Sequence, residues 1–162
     1  GTNWTSATPA AGFTASTGRV YRSSDFAIVT ATRTPVEFNA EDYDADAAHD
    51  NSTNPSRATC KLAGKYHFTA FLNFAANATG YRYARWRKNG TAITGYQLFS
   101  PSNASFSSTL NFNLDVDLAL NDYVEIEVYQ DSGGNLSIQY MGAQDLSSSQ
   151  HDSVMAWFRT GA

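Results

Sequence analysis

The chain has 162 residues, enough for one domain with a substantial core. Hydrophobic residues make up 42% and charged residues only 16%, with a formal net charge of -4. That balance suits an aromatic-rich sheet protein and argues against a nucleic-acid partner, whose backbone calls for a clustered positive surface. No apolar run approaches the roughly 18 residues of a membrane span, so no membrane insertion is expected. The single Cys60 excludes an internal disulfide.

In chain order, residues 1–20 open with "GTNWTSATPAAGF", which lacks the charged-then-apolar order of a secretion leader. They read as a flexible lead-in, and residues 21–162 read as one domain. From there the hydrophobic period is two. "KYHFTAFLNF" puts Tyr66, Phe68, Ala70, Leu72 and Phe74 on one face. "LNFNLDVDLAL" turns Leu110, Phe112, Leu114, Val116 and Leu118 inward and its Asn and Asp residues outward. "YVEIEVYQ" repeats the device, with Glu125 and Glu127 outward. Asn89-Gly90 is the signal of a two-residue hairpin, whose central residues both need positive φ.

Strands are therefore expected near 25–30, 35–39, 65–74, 81–87, 92–98, 107–118, 123–130, 135–141 and 153–160. No amphipathic helix is expected. About ten short antiparallel strands in one domain predict an all-β, two-sheet sandwich, with the jelly roll as the common closed form. Some strands carry aromatics on both faces: Phe71 lies opposite the Phe68 face, and Trp157 and Phe158 are neighbours. Such strands need a cover on both sides, either a second subunit or a second layer.

The ordered set "TPVEFNAEDYD", "HDNSTNPSRATCKLAGKYHF", "ARWRKNGTAI", "LNDYVEIEVYQDSGGNLSI" and "SVMAWFRT" resembles the jelly-roll domain of the complement-component-1q and tumour-necrosis-factor superfamily. It looks most like the versions in phage tail and bacterial surface proteins. Matching positions are Val36, Phe38, Asn39, Gly64, Tyr66, Phe68, Asn89, Gly90, Asp122, Val124 and Phe158. The C-terminal "VMAWFRT" departs from the family's Phe-x-Gly-Phe pattern, and no collagen-like repeat precedes the domain. The resemblance implies a compact homotrimer that binds proteins or carbohydrates and is not an enzyme. Phe71, Trp86, Tyr129 and Trp157 are the candidates for the trimer interface, although Trp86 also fits the core.

Three stretches have the residue types of a site. "EDYDADAAHDN" has the Asp-x-Asp-x-Asp spacing that begins a calcium loop, but Ala47 and Thr53 stand where a helix-flanked loop needs Gly and Glu. A non-standard calcium site at Asp42, Asp44, Asp46 and Asp50 remains the one cofactor candidate, against an acidic turn-capping loop with Arg57 as its partner. "GYQLFSPSNASFSS" reads as a long loop. Its Tyr96, Phe99 and Phe106 among small polar residues suit ligand contact, since rings supply stacking area and Ser and Asn supply hydrogen bonds. "YRYARWRKNG" mixes cations and aromatics as single-strand nucleic-acid binders do. Read as a strand, it places Tyr81, Tyr83, Arg85 and Arg87 on one face, with the arginines free to pair with acids across a subunit boundary. A Cys60–His67 nucleophile pair lacks any third orienting group or oxyanion turn.

The leading expectation is a trimeric, non-enzymatic module at a virion or extracellular surface. It would be a phage tail or fibre head binding a host-surface protein or glycan. The alternative is a capsid-decorating or fibre-capping protein that stabilises a viral particle by trimerising. A glycan hydrolase would need two carboxylates facing each other across a groove, and nothing in the sequence positions the pair.

Overall fold

The computed structural model describes residues 16–140 and 153–162. Twelve strands run through them: β1 Thr17–Tyr21, β2 Phe26–Ile28, β3 Thr34–Pro35, β4 Ala40–Asp44, β5 Arg57–Thr59 and β6 Gly64–Phe74, then β7 Asn77–Lys88, β8 Thr91–Asn103, β9 Ser108–Leu118, β10 Tyr123–Gln130, β11 Leu136–Ile138 and β12 Val154–Gly161. There is no helix among the described residues, hence none long and apolar enough to cross a membrane. The larger sheet has the order β2-β11-β6-β12-β1-β4, with β9 paired along the other side of β6. The smaller has β3-β10-β7-β8, with β5 also on β10. Every pairing is antiparallel.

The inward rows expected from the period-two pattern meet between the sheets. Tyr66, Phe68, Ala70 and Leu72 of β6 and Leu110, Phe112 and Leu114 of β9 are buried, facing Ala84 and Trp86 of β7 and Val124, Ile126 and Val128 of β10. Trp86 is the hub, with its ring centroid 5.8 Å from Phe68 and 5.1 Å from Phe112. Trp157 packs 6.2 Å from Phe68. It also covers Gly18 of the neighbouring strand, where even a Cβ would lie 2.1 Å from the indole. Glycine at 18 is thus a packing requirement.

The Asn89-Gly90 turn has the expected form: φ is 51° and 77°, and β7 and β8 flank it directly. Asn89 also fastens the hairpin to the neighbouring turn, donating to Asp122 Oδ1 at 2.7 Å and accepting the Tyr123 N–H at 2.9 Å.

Several expectations need correction. β1 starts at Thr17, inside the stretch assigned to the lead-in; residues 1–15 lie outside the described residues. The expected strand at 35–39 pairs only at Thr34–Pro35. Val36 and Phe38 then turn into the core, their N–H groups donating to Ile126 and Pro55 carbonyls. The acidic stretch contributes β4, which pairs with β1. Residues 91–103 form one edge strand where a loop was expected after 98, because an edge tolerates Pro101. The expected strand at 135–141 holds over 136–138, and Met141 lies outside the described residues.

Candidate ligand-binding surface

On the outer face of the smaller sheet, β10, β7 and β8 place Tyr129, Tyr83 and Phe99 opposite one another in register. Tyr81, two residues before Tyr83, shares that face. The rings form a continuous cluster, with Tyr83–Phe99 at 4.7 Å, Tyr81–Phe99 at 5.8 Å and Tyr81–Tyr129 at 5.6 Å between centroids. Arg33 lies 5.0 Å over the Tyr83 ring and 5.8 Å over Tyr129. Phe99 is 57% exposed and Tyr81 39%, so the cluster presents stacking area to solvent. Desolvation, with Tyr129 and Asp131 nearby, pushes the Tyr81 hydroxyl above the usual phenol range.

Beside the rings runs a charge ladder. Glu127 receives Arg85 at 2.6 Å, Arg87 at 2.9 Å and Arg33 at 3.4 Å, and Glu125 receives Arg87 at 3.4 Å and the Ser56 hydroxyl at 3.2 Å. Both glutamates point outward as the alternation predicts, yet they are buried beneath the guanidinium groups. Arg85 and Arg87 therefore pair within the chain, in place of the expected pairing across a subunit boundary. Arg82 is buried on the other face and donates to the Asn77, Thr79 and Tyr81 carbonyls. With these cations committed, "YRYARWRKNG" lacks the free positive groove of a nucleic-acid binder.

Of the three ligand candidates, Tyr96 and Phe99 lie on β8 and Phe106 in the turn after it. All are exposed, but they are not one patch: among the described residues the ring contacts of Phe99 are with Tyr81 and Tyr83. Sequence reading did not group these rings with Tyr129. Tyr81 and Tyr83 were legible as one face, whereas Phe99 reaches them through the register set after the turn and Gly95, where φ is +86°.

The trimer candidates separate. Trp86 is 0% and Trp157 2% exposed, so both are corrected to core residues with no surface for a second subunit. Phe71 lies on the outer face of the larger sheet, paired with Val154. Tyr129 lies on the opposite outer face, within the aromatic cluster. Around Phe71 the larger sheet also presents Ala156 and Phe158 on β12 and Tyr21 on β1, with Phe158 50% exposed. His67 bonds the Asp115 carboxylate at 2.7 Å and packs 5.3 Å from Phe158 on this same face. Cys60 faces the core, its thiol donating to the Leu62 carbonyl at 3.2 Å. Cys60 and His67 thus stand on opposite sides of the sheet and do not form a nucleophile–base pair.

The acidic residues disperse as well. Asp42 pairs with Arg19 at 3.0 Å, Asp44 accepts the His49 N–H at 2.8 Å, and Asp46 accepts the Ser16 hydroxyl at 2.5 Å. Asp50 caps its own turn, taking Ser52 N–H and hydroxyl and Thr53 N–H on one oxygen, which lowers its pKa to about 2. Among the described residues no three metal-ligating side chains converge, which corrects the calcium expectation. Arg57, the expected partner of this cluster, stacks instead over the Tyr123 ring at 4.0 Å.

No protein-family model matches the chain, and no curated protein does. Solved structures do. Murine APRIL matches with a TM-score of 0.60 at 10% identity, covering 90% of this chain and 99% of that one. The globular domain of a zebrafish complement 1qA protein matches with a TM-score of 0.60 at 19% identity, covering 90% and 98%. The chain therefore has the two-sheet jelly-roll fold seen in both.

Proposed function

We propose that this chain is a non-enzymatic surface module that assembles as a homotrimer and binds a host-surface glycan or protein through the Tyr81, Tyr83, Phe99 and Tyr129 platform. The observation that carries this reading is the in-register aromatic row, packed ring against ring and still partly exposed. A rigid aromatic face stacks on the apolar face of a sugar or an apolar side chain at little entropic cost. Trimerisation is assigned to the outer face of the larger sheet, where Phe71, Val154, Ala156 and Phe158 lie together on a sandwich otherwise closed around its core. The virion or cell-surface setting, as a phage fibre head or a related module, rests on the ordered motif set.

Light scattering tests the assembly: the expected mass is three times 17.6 kDa, and a clean monomer at micromolar concentration would remove that half of the proposal. A glycan array and host-cell adsorption test the recognition, with Phe99→Ala and Tyr81→Ala expected to lose signal while the mass is unchanged. A trimer that coats particles and binds no glycan or cell would instead be a decorating protein.

A further inference from the structure

A cavity of about 300 Å³ lies beside β5, with Arg57, Thr59 and Lys61 on one wall and the 47–54 loop on the other. Alternation along β5 puts Arg57 and Thr59 on one side, and Lys61, just past the strand, lines the same cavity, so a single segment supplies two cations to it. The facing loop is firmly built. The buried His49 ring is held 2.9 Å from the Glu41 carboxylate and 3.0 Å from the Pro55 carbonyl. Ala47 and Asn54 are left-handed, with φ of 52° and 57°. For alanine that conformation costs about 1–2 kcal/mol, and it persists only where the surroundings fix it.

The cations on the opposite wall are unspent. Glu125, opposite Arg57 in the ladder, is taken by Arg87 and Ser56. Arg57 forms no ion pair among the described residues, and its buried Nε has no hydrogen-bond partner. Its guanidinium is fixed by the Tyr123 ring. Lys61 is exposed and likewise unpaired among the described residues. In a chain of net charge -4, two uncommitted cations on one polar cavity are an anion-binding arrangement. The wall also carries one acid: Asp50 uses only Oδ1 in its turn, leaving Oδ2 as an acceptor.

We propose that this cavity binds a sugar acid, with the ligand carboxylate on Arg57 and Lys61 and its hydroxyls on Asp50, Thr53 and Asn54. A compact polyanion would meet the Asp50 carboxylate, and a neutral sugar would leave both cations unneutralised. The volume is at the lower end for ligand sites, which suits a single saccharide residue. The site shares no residue with the aromatic platform, so either can fail without the other.

The test is an ¹⁵N NMR titration of the full chain with sodium galacturonate, with galactose, glycine and inorganic phosphate as comparison ligands. Saturable shifts at the 50–54 amides and Arg57 Nε–H are expected with galacturonate, and tighter than with the other three. Arg57→Gln is expected to weaken binding about tenfold, the scale of one charge-assisted hydrogen bond. Lys61→Ala, an exposed change that leaves the fold alone, is expected to weaken it about threefold. Phe99→Ala is expected to leave it unchanged. No saturable shift, equal or tighter binding of galactose, glycine or phosphate, or unchanged affinity in Lys61→Ala would overturn the proposal.

Discussion

The two outer faces of this sandwich solve the same problem in opposite ways. Both carry aromatic side chains where an ordinary sheet would carry small polar ones. On the smaller sheet the rings lean on one another and on Arg33, and the adjoining Arg–Glu ladder neutralises itself within the chain. On the larger sheet Phe71, Val154, Ala156 and Phe158 share the outer face with His67 and Thr69, and the ring contact of Phe158 among the described residues is with His67. On the first face the exposed rings pack on one another and on a cation; on the second, Phe158 has a single ring contact among the described residues, and trimerisation is proposed there. Aromatic content alone therefore does not identify an interface. What separates the two is whether the intramolecular partners of each ring are already present.

The largest effect that would sharpen this contrast comes from charging each face in turn. If the proposed trimer forms through the larger sheet, Phe71→Asp is expected to leave single chains in light scattering, because burying an unpaired carboxylate costs several kcal/mol. Tyr129→Asp is expected to leave the mass unchanged, and loss of the trimer in that variant would reverse the assignment of the faces.

Next, Glu127→Gln leaves Arg33, Arg85 and Arg87 facing one another around an uncharged amide. A loss of about 2 kcal/mol is expected by chemical denaturation, at the low end for a broken buried pair because the arginines are partly solvated. Stability equal to wild type would mean that the ladder is ornamental. Phe99→Ala should remove about 1 kcal/mol of ring packing, and the same truncation should lower glycan affinity about tenfold if the platform is the binding face.

The smallest effect belongs to neither face. Asp122 accepts from Lys88, Asn89 and the Ala119 N–H, which holds its carboxyl at about 2 against an ordinary 3.8. A carboxyl depressed in the folded state adds stability that is full above about pH 4 and is lost as pH falls toward 2. Because its cationic partner Lys88 is about a third exposed, the contribution is about 1 kcal/mol or less. Asp122→Asn should lower thermal stability slightly at pH 7, leave it nearly unchanged near pH 2, and so flatten the profile between pH 4 and 2.

The long strands were legible because each carries its own period. β6, β9 and β10 alternate over eight or more residues, enough to fix both strand and face. β4 was not: "AEDYD" has no alternating apolar row to mark an inner face, and its acids suggested a metal where the fold uses them singly, as with Asp42 on Arg19. β5 has three residues, too few for any period. In the binding surface, the parity of Tyr81 and Tyr83 was readable, but register between β7, β8 and β10 is a non-local quantity. The burial of Glu125 and Glu127 was invisible for a related reason, since alternation gives direction and says nothing of what lies on top.

The placement of β12 between β6 and β1 also governs how fast this molecule forms. Thr17 bonds the Trp157 carbonyl across 140 residues of sequence, so the centre of the larger sheet closes through its most distant pairing. Chain-closure entropy must be met before that ladder returns any enthalpy, which places the fold among slow, high-contact-order folders. Until β12 arrives, β6 keeps one edge open and β1 with β4 has no sheet to join. Substitutions along the β1–β12 seam should therefore speed unfolding more than they slow folding. The lifetime of that open edge sets how long the unfinished chain is exposed to pairing with its neighbours.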